Sequence, residues 1–199
     1  MQTGTPRFPA AIAAAAALAA GMALAGCTSG GTSKPTMTLT ATASPTTSPT
    51  PSPTEDAATP PERPEAMGTP SVEGAAAAAE YFMALYTYAR VTGDPSLLAG
   101  LSGPDCATCT AIVGQVDAAR EQGNHAEGYA ITVHQSNPTE LVTGESFTVE
   151  LHLTEGSSVV RDESGTVVSE TAETDRVLRF GLRWSGNWIV EALGVEAAG

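Results

Sequence analysis

The sequence predicts an α+β domain, with N-terminal helices packed on a curved antiparallel sheet of four to six strands. Two observations carry this reading. Apolar residues recur at helical spacing up to Gly123 and at every second position after it. Helices and strands never alternate as βαβ units, which points away from a parallel sheet. The region from residue 71 to 199 has the length of one ordinary domain, and it contains no internal repeat.

The first helix is predicted over residues 71–92. Ser71 can cap it, Glu73 favours its first turn, and the run Ala75 to Ala79 has the highest helix propensity. Ala78, Phe82, Leu85 and Ala89 form its buried stripe, flanked by Tyr81 and Tyr88, and Gly93 supplies a left-handed stop. Asp94-Pro95 then begins a short second helix with Leu97, Leu98 and Leu101 turned inward. Ser102-Gly103-Pro104-Asp105 restarts the chain as a third helix, which buries Cys106, Cys109, Val113 and Val116.

Strands follow. Tyr129, Ile131 and Val133 face a core, as do Phe147, Val149, Leu151 and Leu153 on a second strand. Residues 158–172 read as a polar hairpin around Asp162-Glu163-Ser164-Gly165. Leu178, Phe180, Leu182 and Trp184 share the inner face of the next strand. Ser185-Gly186-Asn187 turns into the last one, which buries Trp188, Val190 and Ala192 or their neighbours Ile189 and Leu193.

The N-terminal part carries an address rather than a fold. Arg7 precedes an Ala-rich apolar stretch that ends at Leu24-Ala25-Gly26-Cys27. That is a secretory signal, too short to span a bilayer. Its last four residues resemble a bacterial lipobox, which implies cleavage before Cys27 and diacylglycerol on its sulfur. Residues 1–26 are therefore expected to be a lipoprotein signal peptide. Residues 27–70 are the lipidated cysteine and a disordered tether, since Ser, Thr and Pro fill 26 of the 43 positions from 28 to 70. The expected location is the extracytoplasmic face of the cell membrane, reached through a lipid anchor that two or more acyl chains make essentially permanent.

From residue 71 onward, 6 arginines, no lysine and 18 acids leave a charge of −12. Such a surface repels phosphate backbones, which excludes nucleic acid as a partner.

The helix-then-strand order and the Arg-Trp-Ser-Gly-Asn-Trp-Ile-Val hairpin at 183–190 resemble the cone-shaped nuclear-transport-factor-2-like, or cystatin-like, fold. A narrower resemblance rests on Thr69-Pro-Ser-Val-Glu-Gly-Ala75, Tyr86-Thr-Tyr-Ala-Arg-Val-Thr-Gly-Asp94, Leu101-Ser-Gly-Pro-Asp-Cys106 and Cys109. These strings are similar to an uncharacterised family of actinobacterial lipoproteins, a domain of unknown function with the same signal, tether and paired cysteines. That resemblance implies location and architecture, and no catalytic or ligand residue.

Once Cys27 is acylated, Cys106 and Cys109 are the only thiols left, in a compartment where disulfides persist. Three residues apart on a helix first turn, their α-carbons lie about 5 Å from each other, within disulfide range. A structural crosslink is the plain reading; a redox pair at a helix N-terminus is the alternative. A zinc site needs two further ligands that the spacing does not provide. His125 is expected in an exposed turn. His134 and His152 are expected opposite the core near Glu150, where pairing of their strands makes a His-His-Glu cluster for proton transfer or metal binding. Arg176, Arg179 and Arg183 on one strand suit a carboxylate or phosphate, or neighbouring acids. Tyr81, Phe82, Tyr86, Phe180, Trp184 and Trp188 either line a cavity or fill it. The candidate ligand-binding residues are thus Arg179, Arg183, His134, His152 and Trp188. No catalytic constellation, cofactor or metal is implied. The sequence points to a lipid-anchored binding or interaction module, with an unidentified envelope protein or small ligand as partner. The rival is a small-molecule isomerase or hydrolase with a reactive pocket, and a third option is thiol–disulfide exchange.

Overall fold

The computed structural model describes residues 58–197. The predicted signal peptide, Cys27 and most of the tether lie outside them.

Helix α1 spans Val72–Thr92, and its sequence signals act as read. The Ser71 hydroxyl accepts from the Gly74 amide at 3.1 Å, and Gly93 closes the helix at φ 74° with its amide on the Ala89 carbonyl. Ala78, Phe82, Leu85 and Ala89 are all buried. Helix α2 (Ser96–Leu101) is held at its start by Asp94, which accepts from both the amide and the hydroxyl of Ser96. Leu98 and Leu101 are buried, but Leu97 is 43% exposed, so its predicted inward orientation is corrected. A helix of six residues has room for only one apolar stripe, and Leu97 lies off it. Helix α3 runs Ala107–Glu121, starting after Asp105 because Cys106 is its cap.

Seven strands follow: β1 (His125–Glu127), β2 (Ile131–Val142), β3 (Ser146–Glu155), β4 (Ser158–Arg161), β5 (Val167–Thr171), β6 (Thr174–Trp184) and β7 (Trp188–Ala197). They form two antiparallel sheets, ordered β1-β4-β5 and β2-β3-β6-β7. The registers show how the two relate. β1 runs on into β2, β3 into β4 and β5 into β6, and each pairing of the small sheet repeats one of the large sheet. Three long arms therefore bend at one level, at residues 128–130, 156–157 and 172–173. Gly128, at φ 73°, takes a backbone conformation that a side chain disfavours, and it marks the first bend. His125 is exposed as expected, yet it lies in β1 and not in a turn.

On β3 and β6 the predicted faces are observed: Phe147, Val149, Leu151, Leu153, Leu178, Phe180 and Leu182 are buried. β7 changes face part-way. Trp188 and Val190 point inward, a bulge opposite Gly181 and Leu182 inserts one residue, and Leu193 then takes the inward position in place of Ala192. Pro138 is accommodated because β2 is an edge strand. α1 packs on the inner face, with the Phe82 and Phe180 rings edge-to-face at 5.7 Å.

The folded part starts before residue 71, which corrects the predicted tether boundary. A 3₁₀ turn at Glu65–Gly68 buries Met67 completely. Its carbonyl accepts from Trp188 Nε1 at 3.1 Å; Tyr81 donates to the Pro61 carbonyl and Arg63 to Asn187 Oδ1. One apolar side chain cannot order a free tether, but it can dock where the domain presents a matching apolar surface.

Candidate functional site

The bend that divides the two sheets also opens a cavity. It measures about 420 Å³ and lies between α1, α3 and the inner sheet face. Sites for small molecules run from about 300 to 1,000 Å³. One wall is apolar: Phe82 and Met83 from α1, Ile112 from α3, Leu178 from β6 and Leu193 from β7. The polar residues cluster at the bend itself. Tyr129 sits at the first kink, Glu155 and Ser158 on either side of the second, and Thr171 before the third.

These polar groups form a chain. Arg176 Nε donates to Glu155 Oε2 at 2.8 Å, and the Tyr129 hydroxyl donates to Glu155 Oε1 at 3.3 Å. Both partners of the ion pair are largely sheltered, at 31% and 18% side-chain exposure. Burial holds the Tyr129 phenol far above its ordinary pKa, with Tyr86 and Glu155 adding to the effect, so Tyr129 is a neutral donor at physiological pH. Glu155 in turn holds the Arg176 guanidinium above its ordinary value. Arg90 stacks over Tyr129 at 4.8 Å and donates to the Tyr86 hydroxyl at 3.2 Å. Ser158 differs from the rest. It is 4% exposed, and its Oγ has no hydrogen-bond partner.

The residues singled out from the sequence lie elsewhere. Trp188 is fully buried, its indole against Phe147 and Trp184, so it is a core residue and not a ligand contact. Arg179 and Arg183 stand on the outer face. Arg179 holds Glu150 and Glu196, and Arg183 holds Glu191, in line with the acid-pairing alternative. The strands of His134 and His152 do pair, but the cluster does not form. A bulge between Val133 and Gln135 sets His152 opposite Gln135 and leaves His134 unmatched. His134 Nε2 meets Thr154 Oγ1 at 2.7 Å, and Thr154 donates to Asp175. His152 Nε2 meets Glu150 Oε1 at 2.9 Å. Among the described residues, no group of three His, Cys, Asp or Glu side chains could hold a metal ion.

The Cys106–Cys109 disulfide is present, with α-carbons 5.2 Å apart. Both residues are buried, at 1% and 0% exposure, and Cys106 Sγ accepts from the Cys109 amide at 3.2 Å. Thiol–disulfide exchange requires a bridge that a second thiolate can reach, and this one is covered.

The outer-face ladder has a consequence for acid stability. Hydrogen bonds from His152 and then Arg179 hold the Glu150 carboxyl below its ordinary value; Arg161 does the same to Glu127. Carboxyls depressed on folding add stability above their unfolded pKa, and this is lost as the pH falls through their folded values. The melting temperature is therefore expected to fall as the pH drops below the ordinary carboxylate range. Glu150→Gln should flatten that decline; an unchanged slope in a melting series from pH 7 to 3 counts against the ladder.

Among the described residues, no helix is long and apolar enough to cross a membrane. No curated protein matches the sequence. In structure, the chain is similar to the intermembrane-space region of the chloroplast protein ARC6, at 15% identity and a TM-score of 0.51, over 64% of this chain and 98% of that one. That likeness shows a shared fold alone. An uncharacterised protein with a cystatin-like fold from Caulobacter vibrioides is similar at 13% identity and a TM-score of 0.41, over 61% of this chain and 88% of its own. An NTF2-like protein with a cystatin-like fold from Novosphingobium aromaticivorans is similar at 21% identity and a TM-score of 0.36, over 58% and 77%. The model of a family of unknown function, DUF6318, matches residues 45–193, most of the chain, and the chain belongs to that family.

Proposed function

We propose that this chain is a lipid-anchored extracytoplasmic binding module, without catalysis, that holds a small, largely apolar molecule in the cavity at the sheet bend. The observation that carries the reading is a cavity of mixed lining with Ser158, whose buried hydroxyl has no partner, among its lining residues. A buried polar group without a partner costs about 1–3 kcal/mol, and a ligand atom that hydrogen-bonds it recovers that cost. The anchor is supported by the Leu24-Ala25-Gly26-Cys27 run. Cys27→Ser is expected to move the chain from the membrane fraction to the soluble one; an unchanged distribution removes the anchor from the proposal.

A thermal-shift screen of the full chain against small amphipathic compounds tests the binding reading. A ligand at a hundred times its dissociation constant adds about 2.7 kcal/mol of stability. Ser158→Ala is expected to leave the free protein as stable or slightly more so, while shrinking the ligand-induced shift. A variant that melts lower without ligand and shifts as much with it contradicts this.

One observation favours an isomerase or hydrolase instead, namely the Tyr129–Glu155 hydrogen bond inside the cavity. Glu155 already accepts from Tyr129 on one oxygen and Arg176 on the other. Turnover of a bound compound that Glu155→Gln abolishes would replace the module with an enzyme.

A further inference from the structure

Seven arginines lie in the described residues, and five of them, Arg120, Arg161, Arg176, Arg179 and Arg183, hold a carboxylate at ion-pair distance. Arg63 sits on the side-chain carbonyl of Asn187. Arg90 is the exception that faces a cavity. No carboxylate of the described residues reaches it, although acids outnumber bases three to one from residue 71 onward. An arginine left unmatched amid such an excess of acid is held there by something other than charge pairing.

The holding groups are two aromatic rings. The Arg90 guanidinium lies 4.8 Å from the Tyr129 ring centre and 5.8 Å from that of Tyr86, while Nη1 donates to the Tyr86 hydroxyl. The rings stack edge-to-face at 5.6 Å and so fix each other. Stacking of this kind positions a guanidinium and leaves the remaining N–H groups for another acceptor. Charge within the cavity does not cancel. Glu155 and Arg176 neutralise each other at 2.8 Å, Tyr129 stays neutral, and Arg90 leaves one net positive charge.

We infer that the ligand of this cavity is an amphipathic anion, with a carboxylate head on Arg90 and an apolar body against Phe82, Met83, Leu178 and Leu193. The inference rests on the binding-module reading and names its ligand class. Ser158, whose buried hydroxyl has no partner, lines the same cavity. The acidic exterior repels anions at long range, but at physiological salt that field fades within about 8 Å, whereas a contact on Arg90 is screened far less.

The test uses the full chain carrying Cys27→Ser, which needs no detergent, in physiological salt. Calorimetric titration compares octanoate, 1-octanol and octylammonium, which share a tail and differ in the charge of the head. Octanoate is expected to bind at least about tenfold more tightly than 1-octanol, and octylammonium more weakly than either. Arg90→Gln is expected to abolish the preference for octanoate over 1-octanol, and Arg90→Lys to keep part of it. If 1-octanol equals octanoate, or if Arg90→Gln retains the preference, the anion inference fails and the cavity reading stands. If none of the three binds up to its solubility limit, both fail. The three-way comparison on the unmutated cavity decides the matter even should Arg90→Gln not fold.

Discussion

Trp188→Ala is expected to destabilise the domain by about 3–5 kcal/mol, the range for truncating a large buried aromatic. For a domain of this size that corresponds to a fall in melting temperature on the order of 10 °C or more. The indole is fully buried and makes edge-to-face contacts with Phe147 at 5.1 Å and Trp184 at 5.2 Å. Its Nε1 also tethers the 3₁₀ turn through the Met67 carbonyl. Truncation thus removes packing on β7 and the hydrogen bond that holds residues 65–68 on the domain. Trp188→Phe keeps an aromatic ring and loses the donor, so an intermediate loss is expected. Urea denaturation followed by far-UV circular dichroism measures both. A loss below about 1 kcal/mol for the alanine variant would falsify the assignment of Trp188 to the core.

The second large effect concerns a glycine. In an ordinary helix, Gly→Ala gains up to about 1 kcal/mol. At Gly74 the sign is expected to reverse, with a net loss of about 1–3 kcal/mol. A Cβ there would stand 2.2 Å from the Thr69 carbonyl oxygen, 2.9 Å from that of Ala66 and 3.0 Å from the Trp188 ring. Two of these obstacles are backbone, so no rotamer change relieves them. The 3₁₀ turn has to move away, and Met67 loses its burial. Gly114→Ala on α3 is the matched control: its Cβ meets nothing within 4 Å, and a gain in stability is expected. Limited proteolysis within residues 59–70 reports the displaced turn directly. Outcomes of opposite sign for the two variants, loss at 74 and gain at 114, support the steric assignment; a gain at both sites contradicts it.

The parts that were legible in the sequence depended on local signals. Ser71, the alanine run and Gly93 define α1 without help from the rest of the chain. The spacing of Cys106 and Cys109 placed their α-carbons at bonding distance, and strict alternation set the inner faces of β3 and β6. What escaped was the bend. Nothing local marks Gly128 and Gly156 as bends within continuous arms, and β1, at three residues, is too short to show a period. Only the matching registers reveal that the arms continue across both sheets. The cavity followed it into obscurity, though one signal was present. Alternation places Glu155 on the face of Leu151 and Leu153, and Arg176 on that of Leu178 and Phe180, so two charged residues occupied inward positions. Arg90 and Ser158 could not be read at all, because what sets them apart emerges only in the folded chain: Arg90 has rings and a hydroxyl for neighbours but no carboxylate, and the Ser158 hydroxyl has no partner. His134 and His152 were placed correctly on the outer face, but a single bulge separated them, and nothing in the spacing announces it. Met67 reads from sequence as part of the tether, because its burial depends on Trp188, 121 positions away.

Intermolecular nuclear Overhauser contacts from bound octanoate locate the ligand most directly. Contacts are expected to the methyl groups of Met83, Ile112, Leu178 and Leu193, together with a shift of the Ser158 amide on binding. Contacts confined to the exposed side chains Leu141 and Val142 at the β2–β3 turn, or to Val167 and Val168 on β5, would contradict this.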